Sequence, residues 1–160
     1  MSDLKIIYMG TPQFAVPTLE ALHERYGVGM VVSLPDKAQG RGQKLMPTPV
    51  KQKAIDLGIE VLQPESLKDE DFLKAVEDFA PDIICVVAFR ILPKELYSKA
   101  KIASFNIHGS LLPKYRGAAP INHAIINGEK VTGLTSFILN DKVDTGNILL
   151  KTEYEIEEYM

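Results

Sequence analysis

A chain of 160 residues, 46% hydrophobic and 24% charged, is sized for one globular domain with a core of ordinary volume. Its longest apolar runs, such as DIICVVAF, fall far short of the roughly 20 residues a membrane-spanning helix needs. The opening MSDLKIIYMG has no basic stretch followed by a long apolar one, so no secretory leader is expected. A lone cysteine, Cys85, excludes an internal disulfide and fits a reducing cytoplasm; within its apolar run it reads as a buried strand residue.

The total charge of −3 is mild, but its distribution is uneven. From Leu34 to Lys53 five basic residues (Lys37, Arg41, Lys44, Lys51, Lys53) face one acid, Asp36, so that segment carries +4 and the rest of the chain −7. A basic segment on an acidic protein points to an anionic partner, against the simpler alternative of a solvated charged face.

The first element, LKIIYMG, is an apolar run ending on Gly10 and reads as a buried parallel strand. TPQFAVPTLEALHERYG follows as a helix with Thr11 as cap, Pro12 and Pro17 near its start and Gly27 at its end. VGMVVSL is a second strand. PDKAQGRGQKLMPTP, with two glycines, three prolines and no sustained period, reads as a long mobile loop. TPVKQKAIDLG is a short helix capped by Thr48, and IEVLQ a strand. SLKDEDFLKAVEDFA is a helix with Ser66 at its N-cap, and PDIICVVAF a strongly buried strand. PKELYSKA, KIASFNIH and APINHAIING continue the alternation as helix, strand and helix, the last closed by Gly128. VTGLTSFILN and GNILLKTEYEI are two strands joined by a turn at DKVDTG. Strands alternating with helices imply an α/β fold with a mostly parallel sheet and an antiparallel C-terminal extension. The final EIEEYM opens a helical pattern without closing it, as a fragment would.

Chemistry concentrates in SFNIHGSLLPKYRGAAP, residues 104–120, where strand pattern gives way to glycine and proline. Asn106 and His108 are two apart, so in a strand they face the same side. In an open α/β sheet ligands gather at the carboxyl ends of strands, where both residues fall. The Asn106 amide can donate to an oxygen that becomes negative in acyl transfer, and His108 can move protons near neutral pH. On their own they read equally well as a satisfied polar pair at a strand end. A carboxylate from LNDKVDTGN can orient the imidazole, but spacing does not choose between Asp141 and Asp144. With no activated Ser or Cys beside them, such residues suit a nucleophile brought by the substrate. The histidines His23, His108 and His123 lack metal-ligand spacing, and His23 and His123 read as structural helix residues.

FNIHGSLLPKYRGAAPINHAI, followed by DTGNIL, resembles the signature of the 10-formyltetrahydrofolate-dependent formyltransferases. YMGTPQFAVPTLEAL and GRGQKLMPTPVK resemble the branch of that family whose acceptor is methionyl-initiator tRNA. The resemblance runs from Lys5 to Leu150. It implies a Rossmann-like catalytic domain, with Asn106, His108 and Asp144 as the catalytic trio and Asp141 as a turn residue. It implies 10-formyltetrahydrofolate as co-substrate and no metal. Ser110, Leu111, Leu112 and Pro113 would form one wall for the folate, and the segment Phe89, Arg90, Ile91 and Leu92 the other, through its backbone groups. Lys37, Arg41, Gly42 and Lys44 would meet tRNA; a small amine acceptor such as glycinamide ribonucleotide gives no reason for that basic loop. Tyr115 and Arg116 would face either the folate tail or the tRNA end. The family's full enzymes continue with more of the catalytic domain and a C-terminal β-barrel domain, so residues 1–160 are expected to be a shortened catalytic domain, monomeric and cytoplasmic. Two alternatives stay open: a formyltransferase acting on a small amine, and a folate- or nucleotide-binding module without turnover.

Overall fold

The computed structural model describes residues 3–39, 42, 44–109, 112, 120–128, 130–139 and 148–155. The chain divides into two compact units, residues 1–104 and 105–160. Among the described residues no helix is long and apolar enough to cross a membrane.

In the first unit β1 (Ile6–Gly10) is buried at every position, as a strand covered on both faces must be. A 3-10 turn over Gln13–Ala15 leads into α1 (Val16–Tyr26). Thr11 does not cap this helix, contrary to expectation. The helix starts later, with Pro17 in its first turn, where a missing N–H breaks no bond. Thr11 instead ties neighbouring segments together: its Oγ1 accepts from the Leu34 N–H at 3.4 Å and its carbonyl from the Val50 N–H at 3.3 Å. At the other end Gly27, with φ at 81°, stops α1 as expected. His23 has the structural role foreseen for it, its Nδ1 accepting from the Val28 N–H at 3.1 Å.

β2 (Met30–Val32) is followed by an unforeseen pair of short strands, β3 (Lys37–Gln39) and β4 (Lys44–Met46). They pair antiparallel with Lys37 opposite Met46, Ala38 opposite Leu45 and Gln39 opposite Lys44. The segment read as a structureless loop is therefore a hairpin. α2 (Pro49–Asp56) carries the expected cap, with Thr48 Oγ1 accepting from the Lys51 N–H at 3.1 Å. β5 (Glu60–Leu62) then leads to α3 (Glu70–Phe79). The N-cap of α3 is Asp69, whose carboxylate accepts from the Phe72 N–H at 3.0 Å; Ser66 lies outside the helix and serves the Lys68 N–H. Starting the helix here turns Phe72 and Val76, one turn apart, onto its buried face. β6 (Ile83–Val87) and α4 (Lys94–Tyr97) follow. Cys85 is buried as expected, and that burial pushes its thiol pKa up to about 12.

β1, β2, β5 and β6 pair in parallel in the order β5-β2-β1-β6. The chain builds outward from β1 through β2 to β5, then returns to β1's other side for β6. That reversal is the switch point at which open α/β sheets leave a crevice beyond the carboxyl ends of adjacent strands.

β7 (Ala103–His108) starts in the first unit and supplies the leading strand of the second. There it is joined by α5 (Pro120–Ile126), which contains His123, and by β8 (Val131–Ile138) and β9 (Ile148–Glu155). β7, β8 and β9 are antiparallel, with a register irregularity between Ser136 and Phe137.

Candidate active-site residues

At the switch point of the first unit the backbones are in tight contact. A Cβ added at Gly10 would stand 2.8 Å from the Val87 carbonyl oxygen and 3.0 Å from the Ala15 Cβ, so only glycine lets β1 end there. On the β6 side, Ala88 holds φ at 50°, a left-handed conformation that costs a residue with a Cβ about 1–2 kcal/mol. The segment Phe89–Leu92 leaves from this strained residue. Its side chains divide: Leu92 is buried, Phe89 and Arg90 are half-buried, and Ile91 is 74% exposed. Leu92 therefore belongs to the packing, whereas Ile91 is presented outward.

Arg90 has a definite task. Its guanidinium donates to the carbonyls of Pro64 and Glu65, both at 2.8 Å, and lies 5.2 Å from the Phe89 ring centre. It thereby ties the segment after β6 to the segment after β5, although β2 and β1 lie between those strands. Burial disfavours its charged form and lowers its pKa. Sequence reasoning did not foresee this brace, because nothing local marks the carbonyls of Pro64 and Glu65 as acceptors for a cation 26 and 25 residues away.

In the second unit Asn106 and His108 occupy alternate positions of β7 and share a face, as their spacing requires. His108 is 7% exposed. The Asn106 Oδ1 is buried and has no hydrogen-bond partner among the described residues. Leaving a buried acceptor unmatched costs about 1–3 kcal/mol, and such atoms mark places where a ligand or water completes the bonding. A carboxamide offers an acceptor at one end and two donors at the other, and a half-turn about its last torsion exchanges them in the same space. Opposite His108 on β8 stands Thr135, fully buried, and opposite Thr135 on β9 stands Lys151. Leu112 returns to this row: its N–H donates to Thr135 Oγ1 at 3.1 Å, and its carbonyl accepts from Lys151 Nζ at 2.6 Å. Neither Thr135 nor Lys151 was foreseen, since only the pairing of β7, β8 and β9 aligns them with His108.

The basic segment is sorted by the hairpin. Lys51 donates to both oxygens of Asp36, at 3.0 and 2.8 Å, and Gln63 donates to Asp36 and to the Leu34 carbonyl. The hydrogen bond from Lys51 holds the Asp36 carboxyl below its ordinary pKa of 3.8. Lys53 lies 3.9 Å from Glu20. Lys37 and Lys44, by contrast, are exposed on one face of the hairpin and have no acidic partner among the described residues. Gly42 sits between the strands with φ at 86°, a conformation that suits glycine.

Asp141, Asp144, Ser110, Leu111, Pro113, Arg41, Tyr115 and Arg116 lie outside the described residues.

Comparison with known proteins adds the following. The formyl transferase family matches residues 4–159. A methionyl-tRNA formyltransferase of Acetivibrio thermocellus is 51% identical over 159 residues, 98% of this chain and 51% of that protein. One from Bacteroides fragilis is 48% identical over 157 residues, again 98% of this chain and 48% of that protein. The chain thus spans about half the length of the curated relatives it matches. Among solved structures, a phosphoribosylglycinamide formyltransferase from Streptococcus pneumoniae superposes with a TM-score of 0.76 over 96% of this chain and 83% of its own, at 22% identity. One from Bacillus halodurans gives 0.75 over 96% of this chain and 81% of its own, at 18% identity. At that identity the likeness establishes the fold, an α/β, Rossmann-like arrangement of mostly parallel strands flanked by helices with an antiparallel C-terminal extension.

Proposed function

The chain belongs to the formyl transferase family, and on that footing we propose that it forms the catalytic part of a methionyl-tRNA formyltransferase. The reaction is transfer of a formyl group from 10-formyltetrahydrofolate to the α-amine of methionyl-initiator tRNA, in the cytoplasm, at the start of translation. The observation that carries this reading is the buried Asn106 amide oxygen, without a hydrogen-bond partner among the described residues, on the same strand face as His108. A bifunctional amide awaiting a ligand, beside an imidazole, suits a transfer in which one oxygen gains charge and one proton changes nitrogen.

The folate, when bound, supplies a formyl carbon on N10. Asn106 donates from Nδ2 to the formyl oxygen as it becomes negative, a contribution of about 10²–10³ in rate. Its Oδ1 accepts from the attacking amine and orients it. His108 takes the proton that the amine must lose and returns it on the N10 side, worth about 10²–10⁴. Asp144 is assigned, by family resemblance, to hold His108 in the useful tautomer. Ser110, Leu111, Leu112 and Pro113 are assigned to the folate by family resemblance, and so is the main chain of Phe89, Arg90, Ile91 and Leu92. Arg90's own side chain contributes the brace to Pro64 and Glu65.

The hairpin bearing Lys37, Gly42 and Lys44 is assigned to the tRNA, and so, by family resemblance, is Arg41. A small amine acceptor would leave two cations on one exposed hairpin face without a purpose, which favours a polyanion.

Labelled formyl transfer to methionyl-tRNA by the full-length protein tests the chemistry. His108→Ala is expected to lower turnover by about 10²-fold or more; unchanged turnover would remove His108 from the mechanism. Retention of initiator tRNA at rising salt tests the partner. Lys37→Ala and Lys44→Ala should each flatten the salt dependence by about one phosphate contact. An unchanged slope in the double variant would detach the hairpin from the tRNA.

A further inference from the structure

We infer that Thr135 and Lys151 are positioning residues for the folate-facing segment, holding the main chain of Leu112 from both sides. The inference rests on the proposed assignment of residues 110–113 to the folate and names what holds Leu112 in place.

His108, Thr135 and Lys151 form one row across β7, β8 and β9. The chain leaves this row at His108, and four residues later Leu112 comes back onto it. Its N–H meets the Thr135 hydroxyl at 3.1 Å and its carbonyl meets the Lys151 ammonium at 2.6 Å. Neighbouring strands lie about 4.8 Å apart, so the row itself sets the reach between the imidazole and the Leu112 main chain. The two contacts differ in kind. The Thr135 bond is buried, and removing the acceptor would strand an N–H in a residue only 3% exposed. The Lys151 bond is charge-assisted and comes from an otherwise exposed side chain on the last strand. With both its polar backbone groups engaged, Leu112 presents neither to the ligand. It serves instead as a fixed post four residues beyond His108.

The test uses Thr135→Val, Thr135→Ser, Lys151→Met and Lys151→Arg in this chain, with two readouts: amide exchange at Leu112 and tetrahydrofolate affinity by fluorescence titration. Val and Met should speed Leu112 exchange about tenfold and weaken tetrahydrofolate about 5- to 10-fold, while Ser and Arg restore both. Lys151→Met changes only an exposed side chain, so it remains informative if Thr135→Val folds poorly. Unchanged exchange in Lys151→Met would refute the clamp. Faster exchange with undiminished affinity would show that the clamp holds the fold and not the ligand, leaving the folate site intact. A parent chain that does not bind tetrahydrofolate would sink the folate site itself, and the positioning role with it.

Discussion

Replacing Asn106 by Leu separates what that residue does for chemistry from what it does for the fold. The two side chains branch at the same carbon, Leu being the larger. The amide oxygen is buried without a partner among the described residues, and across the strands its neighbour is Phe137, 1% exposed. Removing an unmatched buried acceptor relieves about 1–3 kcal/mol, against which stands about 1 kcal/mol for any bond the amide N–H₂ makes. The net expectation is a gain of about 1 kcal/mol, which for a chain of this size raises the melting temperature by about 2–4 °C. Formyl transfer should fall by about 10²–10³ at the same time. Thermal unfolding followed by circular dichroism, with labelled formyl transfer on the same variant in the full-length protein, reads both effects. Asn106→Asp serves as contrast, since a carboxylate in the same place adds a buried charge and should melt lower than the parent. A melting temperature for Asn106→Leu more than about 3 °C below the parent would refute the reasoning. It would mean that the fold completes the amide's bonding and that no ligand is awaited there.

Three further outcomes follow from the first unit. Gly10→Ala should lower stability by about 1–3 kcal/mol, because the new carbon meets a backbone oxygen, Val87 O, at 2.8 Å and β6 must yield; an unchanged melting temperature would show the two strand ends to be further apart. Ala88→Gly should raise stability by about 0.5–1 kcal/mol, the relieved left-handed strain exceeding the extra freedom of an unfolded glycine, and a lower melting temperature would contradict the conformation at Ala88. Asp36 has its folded pKa depressed, chiefly by the hydrogen bond from Lys51. Its contribution is thus full at neutral pH and disappears as pH falls through the folded value, below 3.8. Amide protection at Ala38 and Leu45, followed down to acid pH, should show that loss in the parent. Asp36→Asn should lack it; identical profiles would release the hairpin from this anchor.

What could be read from sequence divides along physical lines. β1 and β6 announced themselves because strands buried on both faces are continuous apolar runs. The Asn106–His108 pair was legible because alternation in a strand is a local rule. The hairpin was not: strands of three residues are too short to show a period, and Gly40, Gly42 and Pro47 all signal a loop. Its order comes from Asp36 meeting Lys51 and Gln63, 15 and 27 residues away. The α3 cap was misplaced because SLKDED offers two competent oxygens, and burial of Phe72 and Val76 chooses Asp69. Thr135, Lys151 and the Arg90 brace needed strand register or loop-to-loop contact, neither of which a single sequence encodes locally.

Order in the hairpin changes how a polyanion would be held. A free loop loses about 1–2 kcal/mol of backbone entropy for each residue it fixes on binding, and the paired residues of β3 and β4 have already met that cost in folding. Pairing also redistributes charge. Of the cations between Leu34 and Lys53, Lys51 is consumed at the base by Asp36 and Lys53 leans toward Glu20, so the base is close to neutral. Lys37 and Lys44 project together from one face, with Met46 beside them and Leu45, 70% exposed, on the other. The charge of Lys37 and Lys44 is therefore not carried on a flexible tether. It sits on a short β-ribbon fastened at its root, and a ribbon of that kind presents its cations in a set order. Specificity for one nucleic-acid shape can rest on such an arrangement, whereas a mobile loop of equal charge would supply attraction alone.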